Sequence, residues 1–121
     1  MSGTAILDPD VLDTLRQLTP PGEPDVLAEV LTLFLTESPR RVERLRNAVA
    51  SGDIVEVQRS AHSLKGSAGN IGAHALANVC RQLDEHSKAG EREPLGPLVD
   101  ALGVEFGKVE TEIHRVMHAS E

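Results

Sequence analysis

The sequence predicts an all-α protein, an up-down four-helix bundle with an additional short N-terminal helix. Three observations predict it. Four long segments carry apolar residues at helical spacing, their connections are short and marked by proline, glycine or a capping aspartate, and no segment shows the period-two alternation of a strand. At 121 residues the chain is long enough for one domain with a modest core and too short for two, so residues 1–121 are read as a single domain.

Asp8-Pro9 reads as an N-cap followed by proline at the first helical position, opening a short helix with Val11, Leu12, Leu15 and Leu18 on its apolar side. Thr19-Pro20-Pro21-Gly22 ends it. A second pattern covers residues 25–50 through Leu31, Leu35, Val42, Leu45 and Val49, and its phase survives Pro39, which favours one helix kinked there. In the alternative, Ser38 is an N-cap and Pro39 starts a new helix. Ser51-Gly52 closes this element, and Asp53 with Glu56 resembles a capping box opening the third long pattern: Ile54, Val57, Ala61, Leu64, Ala68 and Ile71. A sharp turn is expected near Gly72. Leu76, Val79, Cys80 and Leu83 then define a fourth stripe ending around Ala89-Gly90, so that the two elements form an antiparallel hairpin. After residues 91–94, Leu95, Leu98, Leu102, Phe106, Val109, Ile113 and Val116 mark a last helix long enough to span the molecule.

Composition excludes several classes of partner. With 12 basic and 19 acidic residues the formal net charge is −7, a field that repels nucleic acid and anionic membranes. Phe34 and Phe106 are the only aromatics, so stacking platforms for single strands are missing. The one cysteine, Cys80, rules out an intramolecular disulfide and, set among Leu76, Val79 and Leu83, reads as a small buried hydrophobe. The chain begins Met-Ser-Gly-Thr with no basic region ahead of an apolar run, and the most apolar stretch, residues 26–35, is interrupted by Glu29 and Thr32. These features make the cytoplasm the expected location and a free-standing protein the expected form.

Residues 59–72 hold the candidate site. At about 100° per residue His62, Lys65, Gly66 and Gly69 fall on one strip of the helix, with Arg59 on its flank, while the apolar stripe lies about 130° around the axis. His62 is therefore expected to face outward. Glycine in a helix interior costs roughly 0.8 to 1 kcal/mol relative to alanine, so a compensating advantage is expected for Gly66 and Gly69. Bare backbone beside His62 clears space for another chain, and Lys65 one turn away places a cation where an anion on the imidazole would lie. Neutral imidazole is a competent nucleophile near pH 7. The arrangement suits a histidine that receives a phosphoryl group from a partner protein.

Ala61-His62-Ser63-Leu64-Lys65-Gly66-Ser67, followed by Gly72, resembles the signature of histidine-containing phosphotransfer (HPt) domains. Phe34-Leu35, Ser38-Pro39, residues 45–53 and the run from Val79 through Asp84 resemble the flanking helices of that family, so the likeness covers about two thirds of the chain. The resemblance implies a four-helix bundle whose exposed histidine takes phosphate from an aspartyl-phosphate on a response-regulator receiver domain and passes it to another. It acts as an intermediate without kinase activity. His62 would be the phosphorylated residue, through Nε2; Lys65 would steady the phosphoryl oxygens and Gly66 would admit the receiver. No cofactor is implied in this chain, and the receiver is expected to bring the Mg2+ ion and the acidic cluster. The implied partners are receiver domains and, through them, a sensor or hybrid histidine kinase, with no nucleic acid or membrane and a monomeric state.

Family members commonly hold the imidazole with Glu or Gln at the place of Asp84, 22 residues after His62. The shorter Asp84 would accept from Nδ1–H directly or through a water, or else form a surface ion pair with Lys88 or Arg81. Arg59, Ser63, Ser67, Gly69 and Asn70 complete the candidate partner-binding surface, although for Gly69 and Gly72 helix packing or turn formation is the favoured reading. His114 and His118 stand at i, i+4, a spacing able to hold an ion, yet no carboxylate motif joins them and no metal site is expected. Arg40, Arg41, Arg44 and Arg46 form a basic cluster, a solvated face whose edge is suited to steering an acidic receiver. The competing function is a helical adaptor that binds receivers or kinases, is never phosphorylated, and regulates by occupancy.

Overall fold

A computed structural model describes residues 5–119, and its helix boundaries fall where capping residues stand. Asp8 caps α1 (Pro9–Gln17) by accepting from the Asp10 amide, and Asp25 caps α2 (Val26–Ser51) by accepting from the Leu27 amide. Gly52, at φ +76°, ends α2 in the left-handed conformation. Asp53 accepts from the Glu56 amide to open α3 (Ile54–Asn70), after which come α4 (His74–Lys88) and α5 (Leu95–Ala119). Only half of the expected capping box forms. The Asp53 amide donates to the Ala48 carbonyl instead, and Glu56 Oε2 accepts from the Ser60 hydroxyl, so the reciprocal bond is not made. Residues 1–4, which carry the expectation of no basic leader, lie outside the described residues.

Helix α2 packs on α3 and α5, α4 packs on the same two helices, and α1 lies against α2, so four long helices enclose one core. α2 runs unbroken through Pro39, as its unbroken phase predicts, and no strand occurs among the described residues. Leu31, Leu45, Leu64, Leu76, Leu83, Leu102 and Ile113 are fully buried, each worth roughly 1.5–3 kcal/mol of burial. The two aromatics meet there, with Phe34 and Phe106 rings 5.9 Å apart between α2 and α5. Several expected core positions shift outward, with Val11, Leu15, Ile54 and Leu98 half-buried at the edge of the core. Leu18 is the C-cap of α1 and exposed, and Leu35 and Val49 are half-buried because Phe34 and Ala48 on the same turns face the interior. Among the described residues no helix is long and apolar enough to cross a membrane.

Gly72 carries the turn between α3 and α4 at φ +73°, and a Cβ there would lie 2.8 Å from Asp8 Cβ and 2.9 Å from the Asp8 amide nitrogen. The Asp8 amide in turn donates to the Gly72 carbonyl at 3.0 Å, and His74 Nε2 sits 2.9 Å from Asp8 Oδ2. The head of α1 is thereby clasped to the α3–α4 turn. The hydrogen bond from His74, with help from the Asp10 amide, holds the Asp8 carboxyl below its ordinary value of 3.8. A carboxyl whose folded value is depressed stabilises the fold above its unfolded value and loses that contribution as pH falls through the folded one. Acidification below about pH 4 is therefore expected to loosen α1 before the long helices, read as falling amide-exchange protection at Leu12 and Leu15 while Leu64 and Leu83 stay protected.

Candidate functional site

The apolar stripe of α3 orients the site. Val57, Ala61, Leu64 and Ala68 are buried, and this turns the opposite strip toward solvent. His62 stands on that strip with its side chain 67% exposed, and Lys65, half-buried, lies one turn along. Across from them runs α4, which shares with α3 the most extensive helix interface of the molecule. Small buried side chains on both helices, among them Ser60, Ala61, Cys80 and Ser87, let the pair approach closely.

That approach brings Asp84 to His62. Asp84 is 2% exposed, which corrects its reading as a surface ion-pair residue. Its Oδ2 lies 3.5 Å from His62 Nδ1 and 3.7 Å from Lys65 Nζ, and its Oδ1 lies 3.7 Å from Lys88 Nζ without a hydrogen-bond partner. The first distance is at the outer edge of hydrogen-bond reach, within a small ring movement of a direct bond. Arg81 goes elsewhere. Its guanidinium bridges Glu85 and Asn78 on the outer face of α4, so of the two cations expected to contact Asp84 only Lys88 does so. Lys88 is the neighbour that sequence reasoning left out of the site, although its place one turn after Asp84 was visible.

Gly66 and Gly69 are both exposed, and a Cβ at either would meet nothing within 4 Å. Close helix packing, one of the two roles favoured for Gly69, is therefore not what it serves, whereas the turn is: its carbonyl accepts from the Gly72 amide at 3.1 Å, and Gly72 carries the turn itself. Arg59, Ser63 and Asn70 are exposed; Ser67 is half-buried and receives a 3.1 Å hydrogen bond from Arg41 of α2. Arg41 also pairs with Glu37 at 3.8 Å. The expected basic cluster is thus divided, with Arg41 drawn to α3 and the Arg46 guanidinium lying against Gly103 of α5. Beside Ser67 and Asn70 a shallow cleft of about 350 Å³ opens between α2 and α3, with Leu33, Glu37 and Arg41 along its α2 side.

Cys80 is buried, and burial pushes its thiol up to about 12, where it is neither nucleophile nor ligand. His74 pairs with Asp8 and His86 with Glu91. The His114 and His118 rings stand 6.5 Å apart, and among the described residues no group of three or more His, Cys, Asp or Glu side chains gathers in a way that holds a metal ion. The arrangement around His62 therefore combines an accessible ring, a buried carboxylate facing one ring nitrogen, two nearby ammonium groups and uncovered backbone. Such a group of residues can take up an anion at the outward nitrogen and stabilise the ring charge that results.

Comparison with known proteins returns one family throughout. Residues 29–119 match the family model described as Hpt domain. The chain is similar to histidine-containing phosphotransfer protein 1 of Oryza sativa subsp. japonica, 30% identical over 108 residues that cover 88% of this chain and 73% of that one. It is 26% identical to histidine-containing phosphotransfer protein 2 of Arabidopsis thaliana over 86% of this chain and 69% of that one. The crystal structure of histidine-containing phosphotransfer protein B from Pseudomonas aeruginosa PAO1 superposes with a TM-score of 0.88 at 28% identity, covering 97% of this chain and 98% of that one.

Proposed function

The chain belongs to the Hpt domain family, and from that premise we propose that it is a phosphorelay intermediate of two-component signal transduction, with His62 as the residue that carries the phosphoryl group. The observation that carries this assignment is the pairing of an exposed His62 ring with a buried carboxylate at its Nδ1 edge. Nδ1–H directed at Asp84 leaves the Nε2 lone pair facing outward. Nε2 attacks the phosphorus of a receiver's aspartyl-phosphate, the N–P bond forms as the acyl O–P bond breaks, and the receiver carboxylate leaves with the electron pair. The ring retains its Nδ1 proton and becomes cationic, and Asp84 stabilises that charge. Lys65 steadies the phosphoryl oxygens, and Gly66 gives the receiver's backbone room to approach. The receiver supplies the magnesium ion.

In this role the protein is a carrier acting with receiver domains rather than an autonomous catalyst, and a sensor or hybrid kinase stands behind the first receiver. Arg59, Ser63, Ser67, Gly69 and Asn70 lie on the face the receiver would cover. The single buried Cys80 suits a reducing compartment, and we place the protein in the cytoplasm as a monomer.

The test is incubation with a phosphorylated receiver. Label that moves to this chain, acid-labile and alkali-stable, supports the carrier; label that stays on the receiver while a complex forms supports the adaptor. Lys65→Ala is expected to slow transfer by roughly ten- to a hundredfold, the loss of one charge contact to the phosphoryl group, with receiver affinity changed less than threefold. Rapid-quench kinetics beside a binding titration separates the two, and normal transfer by the variant would remove Lys65 from the mechanism.

A further inference from the structure

Asp84 is a carboxylate buried almost completely, so it requires compensation in every state of the site. Its two oxygens are divided between opposite neighbours. Among the described residues, Oδ2 faces His62 and Lys65, while Oδ1 faces Lys88 alone. The two lysines approach from opposite directions along the hairpin, because Lys65 follows His62 by one turn on α3 and Lys88 follows Asp84 by one turn on the antiparallel α4. Lys65 cannot serve the carboxylate and a phosphoryl group equally well.

Resting on the phosphorelay reading, we propose that Lys88 is a positioning residue for the transfer: it is the standing counter-ion of Asp84, and its presence frees Lys65 to leave that carboxylate for the phosphoryl oxygens. The charge count supports the division. With a neutral ring, Asp84 and two lysines sum to +1, so when Lys65 turns outward Asp84 still faces one cation. Without Lys88 the one full cation left beside the carboxylate, among the described residues, is Lys65. It would then be held back until the ring became charged, and in the transition state the ring carries only part of that charge. Lys88 itself is 57% exposed, so truncating it removes charge without opening the core.

The test is single-turnover transfer from a phosphorylated receiver to wild type, K88A, K88R, D84N and the D84N/K88A double variant. K88A is expected to slow transfer about three- to tenfold with receiver affinity unchanged, and K88R to restore it. In the D84N background, where no carboxylate charge needs an attendant, K88A is expected to have no further effect. Equal rates for wild type and K88A would overturn the proposal. So would a K88A loss of the same size in the D84N background, since Lys88 would then act on the phosphoryl group or the receiver directly. A wild-type chain that takes no label from any receiver would instead overturn the phosphorelay reading on which the proposal stands.

Discussion

His62→Gln is expected to abolish phosphoryl acceptance, lowering transfer at least about a thousandfold, while the bundle stays folded and receiver binding persists. The ring is two-thirds exposed and contributes nothing to the apolar core, and glutamine is a good helix former, so circular dichroism and urea midpoint should match wild type within about 0.5 kcal/mol. No neighbour replaces the lost nucleophile. A glutamine amide nitrogen is not nucleophilic, Lys65 Nζ is paired with the Asp84 carboxylate, and the Ser67 hydroxyl is engaged by Arg41 and the Ser63 carbonyl. Acid-labile, alkali-stable label persisting on His62→Gln would move the carrier role to another histidine and sink the assignment made here.

Much of the fold was legible because its helices are punctuated by residues with strong local preferences. Asp8-Pro9, Asp53 and Gly72 act within three residues of themselves, and the structure uses each as its chemistry suggests. The misreadings arise where a neighbour beyond the segment decides. Leu18 is apolar and at helical spacing, yet the chain turns away at that residue and nothing covers it. Phe34 outranks Leu35 because Phe106 waits across the core, and periodicity of α2 alone carries no information about α5.

The same boundary runs through the candidate site. The outward strip of His62, Lys65, Gly66 and Gly69 follows from 100° per residue and needs no tertiary knowledge. The approach of Asp84 does not, since it depends on how closely α3 and α4 pack, and this is set by small side chains on both. Nor does sequence say which of Arg81 and Lys88 turns to Asp84, because Glu85 and Asn78 compete successfully for the former. The result is two lysines set about one carboxylate beside His62, a local excess of positive charge on a chain of net charge −7 that would draw an anionic group here rather than to the rest of the surface.

Gly66 separates the demands of folding from those of transfer, and substitutions there are expected to move the two in opposite directions. The residue lies inside α3 in helical backbone, and a Cβ would meet no atom within 4 Å. Gly66→Ala is therefore expected to stabilise the protein by about 0.5–1 kcal/mol, because alanine restricts the unfolded chain and costs nothing in the folded one. The urea midpoint should rise accordingly. Gly66→Leu retains most of that gain in stability but fills the space one turn from His62 where the receiver's backbone would pass. Holding the donor phosphorus back by as little as about 1 Å costs roughly a hundredfold in rate, so Gly66→Leu is expected to lose at least that in transfer while unfolding later than wild type. Gly69 has equally open surroundings but lies two turns from the ring, and Gly69→Leu is expected to cost less than about tenfold. Stability and transfer rising together in Gly66→Leu would mean that nothing approaches this backbone, and the receiver would have to reach His62 from the α4 side.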